Sequence, residues 1–234
     1  MYKNKKIIAI IPARGGSKGI PNKNIVDLCG KPLIQYSIDA AQNSKYIDKV
    51  IVSTDSEKIA EVSRKCGANV PFLRPESISG DVARSSEVVI HGIDFLKENY
   101  GDEYDYVILL QPTSPLRTAK HIDKAIELCI NSDSSSLVSV KEVNENPIIM
   151  RTIENNKLNE VLKFDGDNLR RQDLPKFYIF NGAIYITTVD FIKDNMVFVD
   201  DNTLPFIMEE QVSIDIDNMI DLKVVEYIIN ETLA

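Results

Sequence analysis

An α/β protein, with a mostly parallel sheet covered by helices on both faces, is expected from three features of this 234-residue chain. Short apolar or β-branched runs alternate with longer amphipathic segments through the first 140 residues. The runs are continuously hydrophobic, as in strands buried on both faces, and do not alternate apolar with polar. Glycine- and proline-rich polar segments follow two of the runs, where the ligand-binding βα loops of a parallel sheet belong.

Taken in order, residues 5–12 form a buried strand through the apolar run IIAII. A turn-rich stretch over 13–24 follows, then a helix over 32–43 with Leu33, Ile34, Ile38 and Ala41 at helical spacing. A second strand is expected over 48–53, a helix over 56–66 and a short third strand over 69–73. In the helix over 85–99, Val88, Val89, Gly92, Ile93 and Leu96 share a face. A fourth strand over 106–110, a helix over 119–131 and a fifth strand over 136–140 continue the βα series. The pattern then breaks over 141–180, where Pro147, Pro175 and the polar stretches ENNK and DGDN mark an insertion. Residues 183–187 return to the sheet, 188–194 form a short helix and 221–233 a closing helix. The expected organisation is an α/β domain of residues 1–140 and 181–234, interrupted by an insertion at 141–180.

Composition bounds the function. With 35 acidic and 27 basic side chains, the formal charge is −8. That balance argues against a protein that coats nucleic acid, which needs a net basic face to displace counterions. It leaves room for a small anionic substrate drawn to a few basic residues in a cleft. No apolar run approaches the roughly 18 to 20 residues of a membrane span. The apolar stretch after the basic start MYKNKK is too short for a signal peptide, so the mature chain is expected to begin at Met1. Cys29, Cys66 and Cys129 show neither CxxC nor zinc spacing and are expected as reduced thiols in a cytoplasm.

Four segments carry chemistry. The first is IPARGGSKGIPNKN at 11–24, directly after the first strand. Gly15, Gly16 and Gly19 let backbone N–H groups turn toward a ligand, and Arg14, Lys18 and Lys23 add three cations, so the loop reads as a polyphosphate cradle. Pro32 after Gly30-Lys31 excludes a Walker A loop, and Arg14 stands where a dinucleotide fingerprint needs its first glycine. The second is SIDID at 213–217. In a strand, Asp215 and Asp217 would share one face and Ile214 and Ile216 the other. Two carboxylates with phosphate oxygens and waters suit Mg²⁺, although an isolated D-x-D is more often a solvated edge. The third is LQPTSPLR at 110–117, where Gln111, Thr113, Ser114 and Arg117 supply donors at the same sheet edge as the basic loop. The fourth is LRRQDLP at 169–175, followed by NGAIY. Its paired arginines, Arg170 and Arg171, suit carboxylate or phosphate, or equally a solvated charged surface. His91 and His121 lie in helical segments without a partner pattern and read as structural.

IPARGGSKGIPNKN, VSTD at 52–55, LLQPTSPLR, NGAIYI and SIDID, in this order, resemble the acylneuraminate cytidylyltransferases over essentially the whole chain. The resemblance implies a Rossmann-like domain and the reaction of CTP with a nine-carbon 2-keto sugar acid, with Mg²⁺, to give the CMP-sugar and pyrophosphate. It also implies a homodimer in which the insertion of each subunit reaches over the other. By position, Arg14, Asn24, Arg74 and Ser85 match residues that hold the nucleotide, and Ala83 stands where some relatives have a binding serine, leaving only backbone contact. Ser17, Lys18 and Lys23 match triphosphate-binding positions, Gln111 a residue at the sugar, and Tyr185 a tyrosine lining the sugar pocket. Asp215 and Asp217 match the metal pair, with Asp217 or Asp215 available to orient or deprotonate the sugar hydroxyl. Arg171, with Arg170 beside it, matches an active-site arginine delivered by the partner subunit.

Two departures bear on the sugar. NPIIM at 146–150 lacks a lysine common in N-acetylneuraminate enzymes, and YIF at 178–180 replaces their Arg-Pro. Fewer cations facing a glycerol-like side chain suit a less hydroxylated acid such as legionaminate, alongside N-acetylneuraminate. Two alternatives stand beside this expectation. One is a cytidylyltransferase for the eight-carbon 3-deoxy-manno-octulosonate, whose first loop typically runs ARxxSxRLPGKPL. The other is a nucleotide-binding sensor without turnover, against which the intact Lys18, Arg171, Asp215 and Asp217 argue.

Overall fold

A computed structural model describes residues 1–17, 19–164, 170 and 173–233. In chain order the elements are β1 (Ile7–Pro12), β2 (Asp27–Leu28), β3 (Lys31–Pro32), α1 (Leu33–Gln42), β4 (Lys49–Ser53), α2 (Glu57–Lys65), α3 (Ser85–Tyr100) and β5 (Tyr106–Leu109). They continue with α4 (Ala119–Asn131), β6 (Ser136–Glu142), β7 (Arg151–Glu154), β8 (Lys157–Glu160), β9 (Tyr178–Thr188), α5 (Val189–Asn195), β10 (Leu204–Ile207) and α6 (Met219–Leu233). The main sheet has the order β10-β6-β9-β5-β1-β4. Five of its strands run parallel, and β9 runs against both of its neighbours.

The apolar run of β1 needs no alternation because both of its faces are buried. Ile7, Ala9 and Ile11 pack with Ile34 and Ile38 of α1 and Ile122 and Ile126 of α4. Ile8 and Ile10 face the other way, onto Val89, Ile93 and Leu96 of α3. A third cluster joins Ile20 and Leu28, after the glycine loop, to Ile216 and to Leu222 and Val225 of α6. That cluster holds the glycine loop beside the SIDID segment.

Several expectations change. Residues 69–73 form only isolated bridges, Ile51 to Asn69 and Thr54 to Leu73, because Pro71 has no N–H to continue a ladder. The strand β10 was not foreseen. Its Pro205 argues against a strand, but β10 lies at the sheet edge beside β6, where one face of the ladder is free. The strand expected over 183–187 is longer, starting at Tyr178, and pairs with β6 as far as Glu142. The antiparallel pair β7–β8 lies within 141–180. Residues 213–217 are not in a strand. They are held by Ile216 N donating to Thr113 O at 2.8 Å and by burial of Ile216.

The β6–β9 ladder is irregular where the site lies. Between the pairs Val138–Tyr185 and Val140–Phe180, the register advances two residues on β6 and five on β9. The surplus chain bulges at Asn181 and Gly182, and Gly182 sits at φ +73°. The buried Ser139 hydroxyl fills the gap, accepting from Ile184 N at 2.7 Å and donating to Asn181 Oδ1 at 2.6 Å.

His121 is structural as expected. Its Nδ1 accepts from Thr118 N while its own N–H donates to Thr118 Oγ1, closing the α4 capping box. Among the described residues the three cysteines are free, and no helix is long and apolar enough to cross a membrane.

Candidate active site

The C-terminal ends of β1, β4 and β5 face one cleft of about 410 Å³. The glycine loop leaves β1 there. Gly15 N donates to Asp55 Oδ1, just past β4, at 2.9 Å. The buried Asn24 closes the loop by donating from Nδ2 to Arg14 O at 3.0 Å. At Gly19 a Cβ would meet Asp217 O at 2.3 Å, so this position is glycine because the backbone of the SIDID segment lies directly against it.

Among the described residues each cleft cation already carries an oxygen partner. Lys23 Nζ donates to Ile216 O at 2.8 Å and to Asp217 Oδ1 at 3.1 Å. Arg14 pairs with Asp81, from the loop before α3. Arg74 is buried, donates from Nε to Ser79 Oγ at 3.2 Å and lies 3.7 Å from Asp55 Oδ1. Burial pulls its pKa down, with Asp55 opposing and Arg14 adding to the shift.

The rest of the lining comes from the 111–117 turn and residues 213–217, with the β9 bulge packed against Gln111. Gln111 and Thr113 line the cleft with Asp215 and Asp217. The side-chain amide of Gln111 lies over Gly182, whose added Cβ would be 2.8 Å from Gln111 Oε1 and 3.6 Å from Asp215 Oδ2. Burial raises the Asp215 pKa above its ordinary value. The Thr113 side-chain hydrogen bond and the Lys23 charge oppose this, and the Asp217 and Asp221 carboxylates reinforce it. Asp215 Oδ1 is buried with no hydrogen-bond partner among the described residues.

This donor set bears on a metal. No group of three or more His, Cys, Asp or Glu able to hold one exists among the described residues. Two carboxylates, one with an orphaned buried oxygen, fit Mg²⁺ if phosphate oxygens and waters complete its shell.

Arg14, Ser17, Lys23, Asn24, Arg74, Ala83, Ser85, Gln111, Asp215 and Asp217 all line this cleft, so ten sequence-derived positions converge. Ala83 offers no side-chain donor. Lys18 and Arg171 lie outside the described residues. Arg170 is exposed and is not part of the cleft wall. Tyr185 does not line it either. Its ring lies against Phe198, with centroids 5.6 Å apart, and burial and then the nearby Asp215 charge push its hydroxyl pKa up. Arg117, expected as a donor at the rim, is instead buried beneath it.

Sequence reasoning missed Asp55, Ser79 and Asp81. Asp55 stands in VSTD, directly after the second strand, and its place there was the available signal. Asp81 sits in an exposed polar loop, where only the fold reveals that it faces Arg14.

Residues 8–224 match the family described as Cytidylyltransferase. The chain is 40% identical over 221 residues to the pseudaminic acid cytidylyltransferase of Campylobacter jejuni, covering 93% of this chain and 94% of that one. It is 39% identical over 225 residues to the CMP-N,N'-diacetyllegionaminic acid synthase of Legionella pneumophila, covering 94% and 95%. Among solved structures, CMP:2-keto-3-deoxy-manno-octonic acid synthetase complexed with CTP superposes with a TM-score of 0.73. Its 16% identity, over 97% of this chain and 99% of that one, speaks for the fold alone. The expected mostly parallel α/β architecture is thus borne out, and with nearly the whole chain matched, this protein belongs to the cytidylyltransferase family.

Proposed function

We propose that this protein transfers CMP from CTP to the anomeric hydroxyl of a nine-carbon 2-keto sugar acid, with release of pyrophosphate. The observation that carries the proposal is one cleft lined by two unlike sets of side chains. Arg14, Lys23, Asn24 and Arg74 line it together with Gln111 and Asp215. The first set suits a nucleotide triphosphate and the second a polyhydroxy acid.

The glycine loop, with Arg14 and Lys23, holds the phosphates, and Lys18 belongs to that set by its position in the sequence. Arg74, fixed by Asp55 and Ser79, and Asn24 hold the nucleoside. The sugar lies beside Gln111, so that its anomeric hydroxyl meets the α-phosphorus in line with the departing pyrophosphate. The new P–O bond forms as the bond between the α-phosphorus and its bridging oxygen breaks. Asp215, next to Gln111 and Gly182, accepts the hydroxyl proton; Asp217, which carries Lys23, is less suited to that task. Lys23 and Arg14 meet the charge that develops on the leaving pyrophosphate. Mg²⁺, held by Asp215 and Asp217 together with phosphate oxygens, would supply Lewis-acid neutralisation of that charge.

The proposal includes a cytoplasmic homodimer. Ile153 and Leu158 face each other across the β7–β8 ladder with exposures of 74% and 70%, and Tyr178, Ile179 and Phe180 at the start of β9 are exposed as well. An apolar patch of this kind on a two-stranded ribbon supports a covering partner. In such a dimer Arg171, with Arg170 beside it, would reach the neighbouring cleft. Mixing Arg171→Ala and Asp215→Ala subunits should restore activity at one site per heterodimer; failure despite confirmed exchange would reject the assignment.

Relatives named for pseudaminic, N-acylneuraminic and N,N'-diacetyllegionaminic acid support a nonulosonate as substrate, and the lack of cations in NPIIM and YIF suits the less hydroxylated of these. The test is pyrophosphate release from CTP and Mg²⁺ across nonulosonic and octulosonic acids, with ATP, GTP and UTP as controls. Absence of release with every acid would refute the proposal. Release with the octulosonate alone would move the activity to the eight-carbon substrate.

A further inference from the structure

The side chain of Arg117 is 2% exposed, and burial pushes its pKa down to about 9 with no charge of either sign contributing. Its partners are neutral. Nη1 donates to Ala183 O at 2.8 Å and to Gln111 O at 3.2 Å, Nη2 donates to Ser37 Oγ at 2.5 Å, and Nε has no partner among the described residues. The Ser37 hydroxyl in turn donates to Gln111 O at 3.2 Å. A buried cation without a counterion is costly, and an apolar side chain of similar volume is often the more stable occupant. Structure alone therefore gives Arg117 a poor rationale.

Its contacts give a better one. The guanidinium joins the backbone of Gln111, at the end of β5, to that of Ala183, next to Gly182 in the β9 bulge. Those are the two residues whose mutual placement sets the Gln111 amide beside Asp215. Its planar fork spans both carbonyls at once, which an ammonium does less well. We infer that Arg117 is a positioning residue for the sugar acid, acting through Gln111 by clamping the β5 end to the β9 bulge. The inference rests on the proposed function, in that Gln111 is taken to face the sugar.

A double-mutant cycle over Arg117→Met and Gln111→Ala tests it, reading kcat/KM for the sugar acid at saturating CTP together with the Kd for CTP. Arg117→Met should lower kcat/KM by about 30-fold, on the scale set by misplacing a positioning group. In the Gln111→Ala background it should cost less than about 3-fold, and CTP binding should stay within about 2-fold of wild type throughout. Full loss in both backgrounds, no loss in either, or a parallel loss of CTP affinity would each overturn the inference. Should Arg117→Met fail to fold, Arg117→Lys goes through the same cycle with the same criteria. Lack of turnover by the wild type with every acid would be a failure of the proposed function. An active wild type with independent effects would be a failure of this inference alone.

Discussion

Replacing Gly182 with alanine separates the cost to the fold from the cost to the site. The residue is buried at φ +73°, and an L side chain in that left-handed region costs about 1 to 2 kcal/mol. For a domain of this size that lowers Tm by roughly 2 to 4 °C per kcal/mol. The new Cβ would stand 2.8 Å from Gln111 Oε1, about 0.6 Å inside ordinary contact at 3.4 Å. Its other near neighbours, Ser114 Oγ at 3.5 Å and Asp215 Oδ2 at 3.6 Å, are at ordinary separation. The Gln111 amide is the free end of a flexible side chain and swings away more readily than the bulge backbone moves. The steric part of the perturbation therefore falls on the sugar side of the cleft. With about 100-fold lost per 1 Å of misplacement, kcat/KM for the sugar acid should drop by roughly 10-fold or more. Arg14, Asn24 and Arg74 are held by other contacts, so CTP affinity should not change. Pyrophosphate release against sugar-acid concentration at saturating CTP, equilibrium binding of CTP and a thermal melt measure the three quantities. Wild-type kcat/KM in a folded Gly182→Ala protein would refute the placement of Gln111.

The glycine loop gives a contrasting outcome: at Gly19 an added Cβ meets the Asp217 carbonyl at 2.3 Å, a backbone atom that cannot swing aside. Gly19→Ala should weaken CTP binding by about 10-fold and destabilise by the roughly 1 to 3 kcal/mol typical of overpacking, as titration calorimetry and denaturant unfolding would show; unchanged CTP affinity would count against the contact. Stability of the metal-free protein tests Asp215, whose pKa is raised in the fold mainly by burial. A raised carboxyl favours folding below its unfolded pKa of about 3.9, and that contribution is lost as pH rises through the folded value. Asp215→Asn should therefore gain stability relative to wild type as pH rises above about 4 with chelator present, and a pH-independent difference in denaturant midpoints would contradict the shift. Ile153→Asp combined with Leu158→Asp should give a monomer by sedimentation, with the far-UV spectrum kept; an unchanged dimer would place the interface elsewhere.

Legibility in the sequence followed the range of the interaction that fixes each feature. The strand β1 could be read because its burial on both faces is written in consecutive residues, and α1 and α3 because their apolar spacing is local. The strand β10 could not, since four residues containing a proline become a strand only when β6 offers an edge. Residues 213–217 lie against the glycine loop at Gly19, held there by Thr113 O and the burial of Ile216 and not by the strand expected of them. Arg117 misled for a related reason. Its position after a βα turn suggests the rim, whereas a carbonyl of β9, 66 residues away in sequence, draws it beneath the floor.

Charge was the feature hardest to read from composition. The net charge of −8 leaves room for a small anionic substrate drawn to a few basic residues in a cleft. Among the described residues, Arg14, Lys23 and Arg74 line the cleft together with Asp81, Asp215 and Asp217, so the two signs balance. Each of these cations also lies within ion-pair distance of an aspartate, namely Asp81, Asp217 and Asp55 in that order. From these described residues alone a triphosphate meets little net attraction and exchanges with carboxylates already in place. Pairing holds the cations in fixed positions and spares the empty cleft the self-repulsion of three unpaired charges. It also leaves the polyanion short of countercharge once bound. That deficit is the physical reason the proposed reaction calls for a divalent cation at Asp215 and Asp217, for Lys18 from the glycine loop and for an arginine from outside the cleft wall.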